Sequence, residues 1–158
     1  MKTMEKMKTL VIVPCGKAKI WDKKPELDDA RAEDAYTGTF FLLNKDYART
    51  FGDRWIILSA KYGFINPETH IHNYDVSFNN TRSNPVSTDI LKDQIRQLEL
   101  ANFDRIIGLG GVQYRNRISE SFGEYQIEIL FPFANCLGIG EMQGAIKRAI
   151  EQNSIHSE

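Results

Sequence analysis

The chain of 158 residues is 42% apolar and 26% charged with a formal net charge of −1, a balance that excludes intrinsic disorder and suits one domain with one core. A charge so near zero argues against a nonspecific polyphosphate binder, which carries a basic excess, but it permits a local basic pocket. The two cysteines, Cys15 and Cys136, form no paired framework and fit a reducing compartment.

Residues 1–8 are charged and expected to be flexible. The apolar run after them, 10–13, is too short for a secretory segment or a membrane span. The expectation is a cytoplasmic protein with no membrane partner. Residues 9–14 (TLVIVP) are continuously apolar and β-branched, the pattern of a strand covered on both faces. Between 37 and 51, Phe40, Phe41, Leu43, Tyr47 and Phe51 gather near one helical face.

Residues 54–59 (RWIILS) repeat the buried-strand pattern. Hydroxyl and Asp capping chemistry then opens a helix over 87–102. A third strand over 104–109 ends in Gly110-Gly111, and a shorter helix over 112–122 follows. Residues 124–130 alternate more and suit an edge strand, closed by Phe131-Pro132-Phe133. Met142, Ile146 and Ile150 mark a last helix over 140–152, and 153–158 read as a frayed polar tail. Such alternation predicts a single α/β domain over 1–158: three-layer α/β/α, with a mostly parallel sheet of about four strands.

Two connections, 15–36 and 60–86, are too long for simple turns. Each follows a strand, on the sheet edge where open α/β folds bind ligands. The first holds Cys15, Gly16, Lys17 and Lys19. A glycine after a buried strand lets backbone approach an anion, and the lysines supply charge; the bland alternative is a tight turn with two solvated lysines. Cys15 reads as a small residue at a strand end rather than a nucleophile, because no histidine is near it in sequence.

At the next helix entry stand Asp34, Tyr36, Thr37, Gly38 and Thr39. Thr37 or Thr39 is expected to cap the helix, Gly38 to let a ligand approach the first amides, and Tyr36 to stack on a planar ring. The second long connection carries Ser59, Lys61, Tyr62 and Gly63, then His70, His72, Tyr74 and Asp75. Hydroxyl, ammonium, phenol and carboxylate can converge there, and a carboxylate beside a sugar can stabilise an oxocarbenium-like centre or position water. His70 and His72 lack a third metal ligand at sensible spacing, so they read as surface histidines and no metal or cofactor is expected.

Gly110 and Gly111 open a helix with a positive N-terminus, but the spacing is not a dinucleotide fingerprint. Tyr114 either lines the same pocket or is a core aromatic. Gly138 and Gly140 before the last helix form a weak signal of the same kind.

The strings CGKAK, DAYTG, ILSAKYGFINP, YD, GLGG and GIGEM together resemble a small bacterial and phage domain family of unassigned function, over roughly residues 9–145. That family resembles, more distantly, the peroxide-stress protein YaaA family through its tyrosine-glycine helix entry and its I-L-S strand. The resemblance implies a nucleotide- or DNA-related role.

The residues suggest an enzyme cleaving an N-glycosidic bond of a nucleotide, nucleoside or nucleic-acid base. Lys17 and Lys61 would meet phosphate, Tyr36 and Tyr62 would stack the base, and Asp75 or Asp34 would act at the sugar. The alternatives are a non-catalytic nucleotide or DNA binder and a structural partner protein. Mild acidity disfavours DNA, and nothing in the sequence sets the oligomeric state.

Overall fold

Six consecutive apolar or β-branched residues find cover only in the middle of a layered structure, and Thr9–Pro14 (β1) is buried along its whole length at the centre of a sheet. The structure, a computed structural model, describes residues 7–156. After β1 come a two-residue strand β2 (Ala30–Arg31), a single turn α1 (Ala32–Ala35), helix α2 (Thr39–Phe51) and β3 (Arg54–Ser59). Then follow β4 (Gly63–Ile65), β5 (His70–Ile71), α3 (Thr88–Gln97), β6 (Arg105–Gly108), α4 (Val112–Ser121), β7 (Glu128–Leu130) and α5 (Ile139–Gln152).

The main sheet runs β4-β3-β1-β6-β7. β1 pairs in parallel with β3 and β6, and β6 with β7; β4 alone is antiparallel, beside β3. Alternation along the strands divides the core. Val11, Val13, Ile57 and Ile107 face one side, with Phe41 and Tyr47 of α2 and Met142 and Ile146 of α5. Leu10, Ile12, Ile56, Leu58 and Ile106 face the other, with Leu91 and Ile95 of α3 and Ile118 of α4. The result is the expected three-layer α/β/α arrangement.

Several boundaries differ from the sequence expectation for identifiable reasons. The helix expected over 37–51 starts at Thr39, and its N-cap is Gly38, with no side-chain cap bond. Neither Thr37 nor Thr39 caps it; the Thr37 amide instead bonds the Ala18 carbonyl at 3.1 Å. The helix expected to reach 102 stops at Gln97, because Glu99 turns the chain at φ 57°. Its start is as read: the Ser87 side chain accepts a bond from the Ile90 amide. Only Glu128–Leu130 of the expected fourth strand pairs, at the sheet edge.

The two long connections are not free loops. β2 and β5 pair as an antiparallel ribbon, Ala30 with Ile71 and Arg31 with His70, so each connection anchors the other. β4 also lies inside the second connection. At the far end, the Tyr47 hydroxyl donates to the Ile155 carbonyl at 2.8 Å, and Ile155 lies against the core. Residues 1–6 and 157–158, part of the two end segments expected to be mobile, fall outside the described residues. No helix among the described residues is long and apolar enough to cross a membrane.

Strand order places a crevice at one edge of the sheet. From β1 the chain moves through α2 to β3 on one side; from β3 it returns across the sheet to β6 on the other side of β1. The connections leaving β1 and β6 therefore diverge to opposite faces, and a crevice opens beyond the carboxyl ends of these adjacent strands.

Candidate ligand site at the switch point

The segments leaving β1 and β6 build the floor of the crevice. Cys15 and Gly16 leave β1, and Leu109, Gly110 and Gly111 leave β6. Gly110 has φ +108°, and a Cβ there would lie 2.9 Å from the Pro14 side chain. Only glycine lets the two strand ends approach this closely. Tyr114, in the first turn of α4, crosses the gap: its hydroxyl lies 3.2 Å from Cys15 Sγ and donates to the Cys15 carbonyl, also at 3.2 Å. Its ring meets Phe78 edge-on at 5.4 Å, so both readings of Tyr114 hold, since it lines the crevice and packs into the core.

A cavity of about 720 Å³ occupies this position. It is lined by Cys15, Gly16, Lys17 and Lys19, by Gly38 to Phe41, by Asp75 to Ser77, by Gly111 to Tyr114, and by Ile139 and Gln143. The first residues of three helices, Thr39 of α2, Val112 of α4 and Ile139 of α5, thus line one space. All three helices open on glycine, at Gly38, Gly111 and Gly138, so none of these N-caps has a side chain to accept a bond from the first amides. A Ser, Thr or Asp cap would occupy those donors; glycine leaves them open to a ligand.

Beside it lies a second cavity of about 540 Å³, lined by Lys17, Ala18, Lys19, Asp22, Asn73, Tyr74 and Asp75. Lys17, Lys19 and Asp75 line both cavities. Lys17 is exposed, whereas Lys19 is only 7% exposed. The Lys19 ammonium donates to the Lys17 carbonyl at 3.2 Å and sits 4.5 Å from the Tyr74 ring centre. The ring face holds the cation in a confined place, and an ammonium so confined favours an anion next to it.

Behind this wall is a buried hydroxyl network. The Tyr36 and Tyr74 hydroxyls lie 2.5 Å apart, and Ser59 Oγ donates to Tyr74 at 3.0 Å. Ser59 in turn accepts from the Lys61 and Tyr62 amides at 3.2 and 3.1 Å. Burial pushes the Tyr36 and Tyr74 phenols well above the ordinary tyrosine range, with the nearby Cys15 acting in the same direction. Tyr114 is raised for the same two reasons. All three phenols are held neutral, as donors and acceptors rather than charges.

The structure separates residues that the sequence groups. Cys15, Gly16, Lys17, Lys19, Gly38, Asp75, Gly111 and Tyr114 come together around the larger cavity. Tyr74 joins them in the wall of the smaller one. Gly138 and Gly140 bracket Ile139 at the start of α5, with open space where a Cβ would sit. Four of the expected residues stand outside both cavities. Asp34 lines neither cavity; its carboxylate is exposed and 4.0 Å from Arg31. Tyr36 is 1% exposed and has no free face on which to stack a ring. Lys61 is exposed and lies over the Tyr62 ring, lining neither cavity. Tyr62 is held by its hydroxyl on the His72 backbone and meets Tyr74 edge-on.

Gly63 serves the fold. It has φ +74°, and a Cβ there would come within 2.2 Å of Gln94 Oε1. That amide group accepts from the Phe64 amide and donates to the Tyr62 carbonyl, closing the turn between β3 and β4. His70 and His72 are exposed; their Nδ1 atoms lie 2.9 Å from Asp29 Oδ1 and 3.0 Å from the Asp28 carbonyl.

Among known proteins, a family described as a family of unknown function, DUF6884, matches residues 10–148. The chain belongs to that family. It is also 41% identical over 147 residues to the uncharacterized protein YfjM of Bacillus subtilis (strain 168), covering 92% of this chain and 97% of that one. The span matched by the family contains both cavities and all three glycine-capped helix starts. No solved structure matches the chain. The expected membership of a small domain family of unassigned function therefore stands.

The sequence reading misses Asp22 and Asn73 in the smaller cavity, and Val76, Ser77, Val112 and Ile139 in the larger. Val112 and Ile139 do carry a signal: each is apolar directly after a helix-opening glycine, where a first turn is usually polar.

Proposed function

We propose that this chain binds a nucleotide or similar phosphorylated nucleoside in the switch-point cavity and cleaves its N-glycosidic bond. The observation that carries the binding reading is the convergence of three uncapped helix N-termini and two lysines, Lys17 and Lys19, on one space of about 720 Å³. Amide donors with a positive helix end favour phosphate, and a volume of this order accommodates a small ligand. A site that needs two lysines accords with a net charge of −1, whereas a DNA surface would need many more cations. The YaaA-like reading of the sequence strings is kept in this proposal only as a nucleotide-related role and not as duplex binding.

The reaction rests on Asp75, among the described residues the one carboxylate lining both cavities. With phosphate held at the helix ends, the sugar lies beside Asp75. The carboxylate offsets positive charge as the bond from the anomeric carbon to the base nitrogen breaks. Water then supplies its oxygen to the anomeric carbon and a proton to the departing base. A non-catalytic binder is favoured by one observation: among the described residues a single carboxylate lines the larger cavity, where glycosidic hydrolysis commonly uses two.

The test is a thermal-shift screen of the full chain against bases, nucleosides, nucleotides and short DNA, with each stabilising compound assayed chromatographically for free base. The expected result is stabilisation by a nucleotide, base release, and a loss of at least about a hundredfold in release for Asp75→Asn with binding retained. Stabilisation without release establishes the binding protein. No shift with any phosphorylated compound refutes both readings.

A further inference from the structure

The larger cavity has an apolar lip above its cationic floor. Val112 is 55% exposed, Ile139 57% and Leu137 94%, three of the six large apolar side chains that are exposed among the described residues. Val112 and Ile139 line the cavity, and Leu137 stands two residues before Ile139 in the chain. Each of the two lining residues is the first residue of its helix, directly after the glycine that opens it. Phe40, the second residue of α2, brings an aromatic ring to the cavity next to Gly38. Scattered exposed apolar side chains need no explanation, but a group of them at the mouth of one pocket marks a contact surface.

From this pairing of floor and lip we infer that Val112 and Ile139 form the seat for the planar base of the ligand, and so set its selectivity. The inference rests on the phosphate-binding reading above and deepens it. A phosphate on the helix amides fixes one end of the ligand. An apolar side chain stands one residue from the amides of α4 and another from those of α5, so the far end of the same molecule lies against both. A free sugar phosphate leaves this lip wet, whereas a nucleotide covers it and removes apolar surface from water. The ring seats assigned from sequence to Tyr36 and Tyr62 do not serve, since one is fully buried and the other lies outside both cavities. The two aliphatic side chains replace them.

Calorimetric titrations of the full-length protein with adenosine 5′-monophosphate, ribose 5-phosphate and inorganic phosphate test this. Wild type is expected to bind the nucleotide about tenfold or more tighter than ribose 5-phosphate. The Val112→Ser/Ile139→Ser double variant is expected to bring the two within about threefold while leaving ribose 5-phosphate affinity unchanged. Both substitutions fall at exposed positions, and circular dichroism verifies that the variant is folded. If wild type binds the nucleotide and ribose 5-phosphate equally, the inference is overturned and the phosphate site stands. If none of the three phosphate compounds binds, both fall together. If the double variant keeps full nucleotide preference but changes oligomeric state in light scattering, the lip is a surface for a second copy, and the inference is again overturned.

Discussion

The carboxyl ends of β3 and β1 carry the same kinds of residue, yet one end is closed and the other open. Beyond β3, Ser59, Tyr62, Gly63 and Tyr74 supply hydroxyls, phenols and a glycine, and nearly every polar atom is committed inside the protein. Ser59 serves two amides and a phenol, Gln94 clamps the turn at Gly63, and the Tyr62 hydroxyl sits on the His72 backbone. Beyond β1 and β6, the glycines at Gly38, Gly111 and Gly138 leave helix amides uncapped around a cavity, and Lys17 stands at its edge. Residue type alone does not mark a site. The mark is a set of donors that the fold brings together and leaves unsatisfied.

The sharpest break between the two ends is expected from glycine substitution. Gly63→Ala combines a strained φ with a clash that displaces Gln94 and its two backbone bonds, at a cost of about 3 kcal/mol in chemical denaturation. A cost under about 1 kcal/mol would mean that the β3 end is not closed in this way.

Next in size is Tyr74→Phe, which strips partners from the buried Ser59 and Tyr36 hydroxyls and is expected to cost about 1–3 kcal/mol. The same residue ties the closed end to pH. Tyr36 and Tyr74 titrate above the ordinary value of 10.0 in the folded state, so the unfolded chain releases those protons first as pH rises. Their contribution is fully present below pH 10.0 and is lost as pH rises toward the folded values. Wild type is therefore expected to lose stability above that pH, less steeply in Tyr74→Phe; an identical slope for both would contradict the assignment.

The smallest effect belongs to the open end. Gly138→Ala meets nothing within 4 Å, has φ 169° in the extended region, and is expected to cost about 0.5 kcal/mol in the same denaturation experiment. A loss comparable to that of Gly63→Ala would erase the distinction between the two ends.

The contrast also explains how much is legible in the sequence. β1 and β3 have the bounds read from TLVIVP and RWIILS, because a strand covered on both faces leaves an uninterrupted apolar run. β2, β4 and β5 are two or three residues long, too short to show a period, and they exist because the long connections pair with other segments. In the site, Cys15, Gly16, Lys17 and Lys19 are readable because they directly follow β1. Lys61 and Tyr62 mislead because their identities suit a ligand while their side chains lie outside both cavities. Val112 and Ile139 carry only the signal of an apolar residue after a helix-opening glycine, and an apolar residue in a helix reads as core until its exposure is known.

The most direct test of the open site is an amide 1H–15N titration of the protein with adenosine 5′-monophosphate. The structure predicts shifts concentrated at Gly38 to Phe40, at Gly111 to Gln113 and at Gly138 to Gly140, with Ser59 to Gly63 unmoved. Shifts centred on Ser59 to Gly63 instead, or no shifts at all, would contradict the assignment of the ligand site to the crevice between β1 and β6.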